Sequence, residues 1–183
     1  MKRKLTVIAV ILFAVVSSFG QTRRDAAPYD NAIGGTLGFM NGLTFKTFPT
    51  NQFAIQLDLG YRFMWDYQYG YIPTILSFNP HFMYESAINN GFYWFIGGGV
   101  NIGASLPRYY YYQTTHHRYL GHCANFVFGV DVIGGVEYKF DNIPLSLQVD
   151  ARPGFFLFAN HKYHDPYILF DYNFFNVSAK YTF

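Results

Sequence analysis

The chain has 183 residues, of which 51% are hydrophobic, 22% aromatic and only 13% charged, with a formal net charge of +2. An average soluble domain has about a quarter of its residues charged, so this composition disfavours a soluble helical protein, and its hydrophobic content excludes a disordered chain. The single cysteine, Cys123, excludes a disulfide framework, a cysteine-based zinc site and an iron–sulfur cluster.

The first 20 residues have the pattern of a secretory signal peptide. Three basic residues at 2–4 precede an apolar run over 5–16, and the small residues that follow predict cleavage after Gly20. Removal of this segment leaves ten basic and eleven acidic residues, a net charge of −1. The sequence therefore predicts no basic surface for nucleic acid. Residues 21–31 are predicted to form a polar lead-in, and 32–183 the folded domain.

Beyond residue 31 the hydrophobic pattern alternates with a period of two, which is typical of β-strands. Asn41-Gly42 predicts the first hairpin turn, because Asn-Gly is the strongest short hairpin signal. Pro80 and Pro153 lie inside predicted strands and remove ladder hydrogen bonds, so we expect a bulge or bend at each. The eight predicted strands cover 32–40, 43–48, 53–64, 74–85, 92–104, 125–140, 145–157 and 172–183.

The connections between these strands alternate in length. The short ones are 49–52, 86–91 and 141–144, and the long ones, rich in tyrosine and histidine, are 65–72, 105–122 and 159–171. Short turns at one end and long loops at the other are typical of outer-membrane barrels. The sequence therefore predicts an all-β fold, an eight-stranded antiparallel up-and-down transmembrane barrel.

Each predicted strand has one apolar face without charges and one polar face. The apolar faces end near the turns in aromatic residues, which are predicted to form a belt like those found at lipid interfaces: Phe53, Tyr84, Phe92, Trp94, Tyr138, Phe140, Tyr181 and Phe183. The polar faces carry five basic and five acidic residues, predicted to form a lumen charge network: Lys46, Asp58, Arg62, Glu85, Asp131, Glu137, Lys139, Asp150, Arg152 and Lys180. Balanced charges suit a closed interior. A soluble barrel with the opposite orientation is the alternative.

Several segments resemble those of known bacterial barrels. The run 176–183 ends in Phe183 after aromatic or apolar residues at alternate positions, which looks like the signal that the barrel assembly machinery reads. The opening over 31–46, the glycine-rich strand over 97–103 and GVEYKFDNIPLSL over 135–147 are similar to proteins described only as outer membrane β-barrels. With its signal peptide and alternating segments, the chain resembles small eight-stranded barrels of the OmpX and OmpA-transmembrane-domain kind. The resemblance implies a bacterial outer-membrane location, with outer-membrane lipid, lipopolysaccharide and the assembly machinery as partners, and it implies no particular activity.

The long connections contain the remaining candidate binding residues. His116, His117 and His122 are weak candidates for a metal site, because imidazole suits zinc, copper or nickel but no carboxylate or cysteine spacing accompanies them. We therefore predict no metal and no cofactor. Aromatic residues in two connections are predicted to join an upper interfacial belt or to contact an extracellular glycan or protein: Trp65, Tyr67, Tyr109, Tyr110, Tyr111 and Tyr112.

A Ser/His/Glu set on the fourth predicted strand raises the possibility of a lipid A-modifying enzyme. Ser77, His81 and Glu85 share one face, but residues four apart on a strand are about 13 Å apart, too far for a hydrogen bond. We therefore predict no catalytic residues. Since eight strands leave room only for side chains, we expect a closed interior and a structural or surface-binding role, with a lipid-modifying enzyme and a narrow channel as alternatives.

Overall fold

The computed structural model describes residues 27–63, 74–105, 126–159 and 166–183. Within these ranges the chain forms ten β-strands and no helix. The strands are β1 (Asn31–Gly38), β2 (Met40–Thr47), β3 (Phe53–Phe63), β4 (Thr74–Asn89), β5 (Phe92–Ser105), β6 (Phe126–Lys139), β7 (Leu145–Ala151), β8 (Gly154–Ala159), β9 (Tyr167–Asp171) and β10 (Asn176–Thr182).

These elements close into an antiparallel barrel of eight strands. Strands β1 to β6 pair in sequence, and β10 pairs with β1. Strands β7 and β8 lie end to end along β6, so together they form one interrupted barrel strand. Strands β9 and β10 form another, because β9 pairs with β8 and β10 pairs with β7. The predicted all-β, eight-stranded, up-and-down barrel is confirmed. Below, the turn end is the end with connections 48–52, 90–91 and 140–144, and the loop end is the opposite one.

The first hairpin turns earlier than predicted. Its bend lies at Phe39, after Gly38 with a φ of +140°, and the prediction of a turn at Asn41-Gly42 is wrong. The Asn41 side chain clamps the turn by donating to the Gly38 carbonyl at 2.8 Å and accepting from the Gly38 amide at 3.3 Å. Gly42 lies within β2 opposite Gly60 of β3, where a Cβ on either residue would lie 2.6 Å from the Cα of the other. Asn41 therefore stabilises the turn through its side chain, and Gly42 allows β2 and β3 to approach each other closely.

Strand β4 continues to Asn89, further than the predicted end at residue 85. The reversal into β5 uses only Asn90 and Gly91, with φ values of 46° and 82°. Two left-handed residues are what a two-residue hairpin requires, so the predicted connection 86–91 is mostly strand. The register between β4 and β5 shifts once, between Ala87 and Asn89.

The two prolines behave differently. Pro153 separates β7 from β8, as expected, yet the register with β6 is the same on both sides of it. A bulge with one extra residue lies instead in the barrel strand formed by β9 and β10. Between the pairs Asp150–Asn176 and Gly154–Asp171, the three residues 151–153 face the four residues 172–175. Phe174 and Phe175 are consecutive and both exposed, which is the bulge itself. At Pro80 the ladder with β3 is continuous, whereas the ladder with β5 skips Asn79 and Pro80 and resumes in the same register, so the ladder is interrupted without a bulge.

Strand alternation separates two kinds of surface. Large apolar side chains cover the outside of the barrel, and the described strands direct no charged side chain outward. Inside, two apolar clusters alternate with two groups of polar residues along the barrel: on β4, Ile75 of the first cluster, His81, Met83 of the second cluster and Glu85 follow one another from the loop end to the turn end. The loop-end cluster is Ile75, Val127, Phe156 and Phe158 with Leu169, and the turn-end cluster is Ala54, Met83, Phe95 and Ile133 with Phe48.

Candidate functional site

Nine of the ten charged residues expected in the lumen are buried inside the barrel: Lys46, Asp58, Arg62, Glu85, Asp131, Glu137, Asp150, Arg152 and Lys180. Lys139 differs, because it is only partly buried at the turn end. Its Nζ donates to the backbone carbonyls of Phe140 at 2.5 Å and Ile143 at 3.1 Å, so it fastens a turn and lies outside the network of ion pairs. The buried charges divide into two groups.

The first group, called the lysine cluster, consists of Lys46, Lys180, Glu85 and Glu137. The Nζ of Lys46 lies 2.5 Å from Glu85 and 2.6 Å from Glu137, and Lys180 lies 3.0 Å from the same oxygen of Glu137. Lys46 Nζ also lies 5.1 Å from the ring centres of both Phe48 and Phe95, within range of a cation–π interaction. Two positive and two negative charges thus neutralise each other among aromatic rings.

Tyr29 closes this cluster from the turn end. Its hydroxyl donates to Oε1 of Glu137 at 2.6 Å, and its ring meets that of Phe48 edge-on at 5.2 Å. Tyr29 is only 8% exposed, although it lies in the segment predicted to be a polar lead-in. Burial and the negative charges of Glu137 and Glu85 raise the pKa of Tyr29 well above its usual value. The single aromatic residue within the polar stretch was the sequence signal for this role.

The second group, called the arginine–aspartate chain, alternates acidic and basic residues across the interior. Its order is Asp171, Arg62, Asp131, His81, Asp58, Arg152 and Asp150. Arg62 bridges Asp171 at 3.1 Å and Asp131 at 3.2 Å. Arg152 bridges Asp58 at 2.7 Å and Asp150 at 2.6 Å. His81 lies between the two halves and joins them.

Asp171 is a lumen charge that was not expected, because it lies in the predicted connection 159–171. In the structure Asp171 is the last residue of β9, is buried, and pairs with Arg62. The bulge at Phe174 and Phe175 shifts the alternation by one residue, so a strict period-two pattern stops at that point. Extending the pattern through a bulge would have placed Asp171 on the inner face.

The burial of Asp171 and the partial exposure of Lys139 change the balance of charge inside the barrel. With Asp171 included and Lys139 excluded, the buried side chains of the described residues comprise six carboxylates against four lysine and arginine side chains. The predicted equality of five and five is therefore not what the structure shows. The excess of negative charge lies entirely in the arginine–aspartate chain, since the lysine cluster is neutral.

Ser77, His81 and Glu85 each have a different partner. Ser77 accepts a hydrogen bond from Asn79, Glu85 pairs with Lys46, and His81 faces two carboxylates. These separate partners agree with the spacing on a strand, where residues four apart lie about 13 Å from each other.

The eight aromatic residues predicted to form a belt lie near the turn end. Phe53 contacts Tyr84 at 5.7 Å between ring centres, and Tyr84 contacts Trp94 at 5.8 Å. A second series joins Tyr138 to Phe92 at 4.6 Å and to Phe140 at 4.7 Å. Tyr181 and Phe183 stack at 6.3 Å. Neighbouring strands thus share rows of ring contacts on the outer surface.

The loop candidates Trp65, Tyr67, Tyr109, Tyr110, Tyr111, Tyr112, His116, His117 and His122 lie outside the described residues. Within the described ranges, no group of three or more His, Cys, Asp or Glu side chains is arranged to hold a metal ion. The same ranges contain no helix with the length and apolar character needed to cross a membrane. No protein-family model, curated protein or solved structure matches the chain.

Proposed function

We propose that the protein is a bacterial outer-membrane β-barrel with a sealed, charged interior, which presents its loops at the cell surface in a structural or binding role. Outer-membrane lipid and lipopolysaccharide surround the barrel. The assembly machinery recognises its last strand, and an extracellular glycan or protein is the partner of its loops. The barrel is not an enzyme in this proposal.

The observation that carries this proposal is the distribution of side chains over the two faces of the wall. Apolar residues such as Leu43, Val132 and Phe155 are more than half exposed on the outside. Charged residues such as Arg62 and Glu137 are fully buried inside. In water this arrangement would expose hydrophobic surface over every strand, which soluble monomers avoid. In hydrocarbon the same surface is favourable, and a closed barrel satisfies the backbone.

The sealed interior supports a role at the surface over one in transport. From the loop end to the turn end, the inner residues of β4 and β6 pass through the loop-end apolar cluster, the arginine–aspartate chain, the turn-end apolar cluster and the lysine cluster, so side chains fill the lumen along its length. Eight-stranded barrels enclose only enough volume for such side chains. The connections at the loop end, with their tyrosines and histidines, are then the parts available to a partner.

Trp94 offers a direct test of the orientation in a membrane. The chain has two tryptophans, so Trp65→Phe leaves Trp94 as the only one. The mature protein is refolded into vesicles that contain lipids brominated at different depths. We expect strong quenching of Trp94 by bromine near the headgroups and weaker quenching by bromine at the chain ends. A protein that stays soluble without detergent and shows no quenching contradicts the proposal.

A charge on the outer face provides a second test. Val132→Arg, at a residue 55% exposed on β6, is expected to destabilise the folded barrel in vesicles by about 2–4 kcal/mol. The matched control is Asn142→Arg in the turn after β6, where the new charge lies at the exposed turn end. Equal stability of both variants contradicts a lipid-facing wall.

The role of the loops is tested separately. Wild-type protein and a variant with serine in place of Tyr109, Tyr110, Tyr111 and Tyr112 are screened against glycans and surface proteins. Binding by the wild type that this variant lacks supports the proposal, whereas a complete lack of binding leaves only the structural role. This result is independent of the Trp94 experiment, so the two parts of the proposal fail separately.

The alternatives have their own readouts. A lipid-modifying enzyme changes the lipid A mass profile, so an unchanged profile in a deletion strain argues against it. The separate partners of Ser77 and His81 give no support to catalysis at that position. A narrow channel produces conductance steps in planar bilayers, and we expect none from a lumen filled with paired side chains.

A further inference from the structure

Inside the barrel, His81 contacts a carboxylate through each of its two ring nitrogens. Its Nδ1 lies 3.4 Å from Oδ2 of Asp58, and its Nε2 lies 3.1 Å from Oδ1 of Asp131. The residue is 1% exposed, so water does not replace either contact. A neutral imidazole has one N–H group and one lone pair. In this position a neutral ring would hold the nitrogen that carries its lone pair within 3.4 Å of a negatively charged oxygen.

The number of buried charges around His81 also favours a positive charge on its ring. Without a charge on His81, the arginine–aspartate chain contains four carboxylates and two guanidinium groups, all buried. Burying charges without partners is costly, and an acidic pair such as Asp58 and Asp131 would then flank a neutral ring. With a positive charge on His81, four carboxylates alternate with three cations along the chain, and each cation lies between two carboxylates.

We infer that His81 binds a proton and is held as an imidazolium ion, the central cation that ties β3 to β6 across the barrel interior. This buried proton-binding site does not depend on where the barrel is located. It therefore goes beyond the proposed function and is tested in detergent micelles as well as in lipid.

The residues around the ring define the site. β3 contributes Asp58 and Arg62, β6 contributes Asp131, and Arg152 approaches from the break between β7 and β8. β5 contributes no charge there. It places Gly99 against the ring, where an added Cβ would lie 3.0 Å from Cγ of His81. The glycine leaves room for the ring and fixes it between the carboxylates. Loss of the proton leaves two guanidinium groups to balance four carboxylates.

The test uses a variant with a single histidine. The chain has six histidines, and replacing the five other than His81 with glutamine leaves one imidazole in the protein. The ¹⁵N-labelled variant in micelles is followed by NMR from pH 6 to pH 10. At pH 8 an ordinary histidine, with a pKa of about 6.5, is almost entirely neutral. We expect both ring nitrogens of His81 to remain protonated at that pH. Conversion to a neutral tautomer with a midpoint near 6.5 overturns the inference.

Two further variants separate charge from packing. His81→Lys keeps a cation between the carboxylates, whereas His81→Gln keeps polarity without charge. We expect the unfolding equilibrium constant of His81→Gln to exceed that of His81→Lys by at least about tenfold at pH 8, because only the former leaves the carboxylates without their central cation. Equal constants for the two variants contradict the inference. If neither variant folds, the NMR titration of the single-histidine protein decides alone.

Discussion

Tyr29 and Glu137 are 108 positions apart in the chain, and the hydroxyl of the first donates a hydrogen bond of 2.6 Å to the carboxylate of the second. This contact draws the segment before β1 into the mouth of the barrel. It also supplies Glu137 with a third partner besides Lys46 and Lys180. The turn end is therefore closed by a residue that precedes the first strand.

Removing the Tyr29 hydroxyl tests the contribution of this contact. Tyr29→Phe keeps the ring against Phe48 but leaves one oxygen of Glu137 without its donor. We expect a loss of about 1.5–3 kcal/mol in the free energy of unfolding, the range for hydrogen bonds to charged groups. Urea unfolding of the refolded barrel measures it. Tyr61→Phe, at an exposed residue on the outer face of β3, is the control and is expected to change little.

The difference in stability between the wild type and Tyr29→Phe is also expected to depend on pH in the alkaline range. Burial, followed by the negative charges of Glu137 and Glu85, raises the pKa of Tyr29 above its value in the unfolded chain, about 10. Above that pH the unfolded chain releases the proton while the folded barrel retains it, which favours unfolding. The stability advantage of the wild type over Tyr29→Phe is therefore constant below pH 10 and shrinks above it. An advantage that grows with pH contradicts this reasoning.

The lysine cluster predicts a strong effect from losing one charge. Lys46→Met removes a cation that pairs with both Glu85 and Glu137, which remain buried. Breaking a buried ion pair from one side costs about 3–5 kcal/mol. Adding Glu85→Gln to the Lys46→Met variant is expected to recover part of that loss, because it removes one of the two buried carboxylates that lost the Lys46 cation. A double-mutant cycle of unfolding free energies measures the recovery, and strictly additive losses would show that the two groups do not interact.

The close approach of β2 and β3 predicts that alanine substitution destabilises the barrel at Gly42 but not at Gly35. In Gly42→Ala the new Cβ would lie 2.6 Å from the Cα of Gly60, in backbone that is held by the ladder on both sides. We expect a loss of about 1–3 kcal/mol from this overpacking. In Gly35→Ala the nearest atom is the Gly42 carbonyl oxygen at 3.6 Å, an ordinary contact, so its stability should match the wild type.

The bulge in the last strand predicts that one deletion is tolerated. Phe174 and Phe175 both point outward, so deletion of Phe175 restores strict alternation and leaves Asn173 and Asn176 facing inward. We expect the barrel to fold with a continuous last strand and slower amide exchange at residues 172–174. Deletion of Val149 in β7 is the control, because it turns either Gln148 or Asp150 to the outer face and should prevent folding. Circular dichroism and hydrogen exchange distinguish the outcomes.

The strand pattern and the orientation of the faces follow from local alternation, which is why eight strands could be predicted from the sequence. The break at Pro153 was also predictable, since proline has no amide to donate. The bulge at Phe174 and Phe175 was not, because an extra apolar residue in an apolar face does not interrupt the pattern. Without the bulge, the alternating pattern does not place Asp171 on the inner face. The inward position of Tyr29 and the pairing of His81 depend on residues far apart in sequence, which alternation does not reveal.

The arginine–aspartate chain has a consequence for assembly, because its members come from both halves of the sequence. The β3–β4 hairpin supplies Asp58, Arg62 and His81, while Asp131, Asp150, Arg152 and Asp171 arrive only with the later strands. A sheet that ends with β4 would therefore hold Arg62 without either of its two carboxylate partners. Desolvation of these groups is favourable only once the cylinder has closed, so intermediates with a dry, partly formed lumen are penalised and insertion is expected to be cooperative.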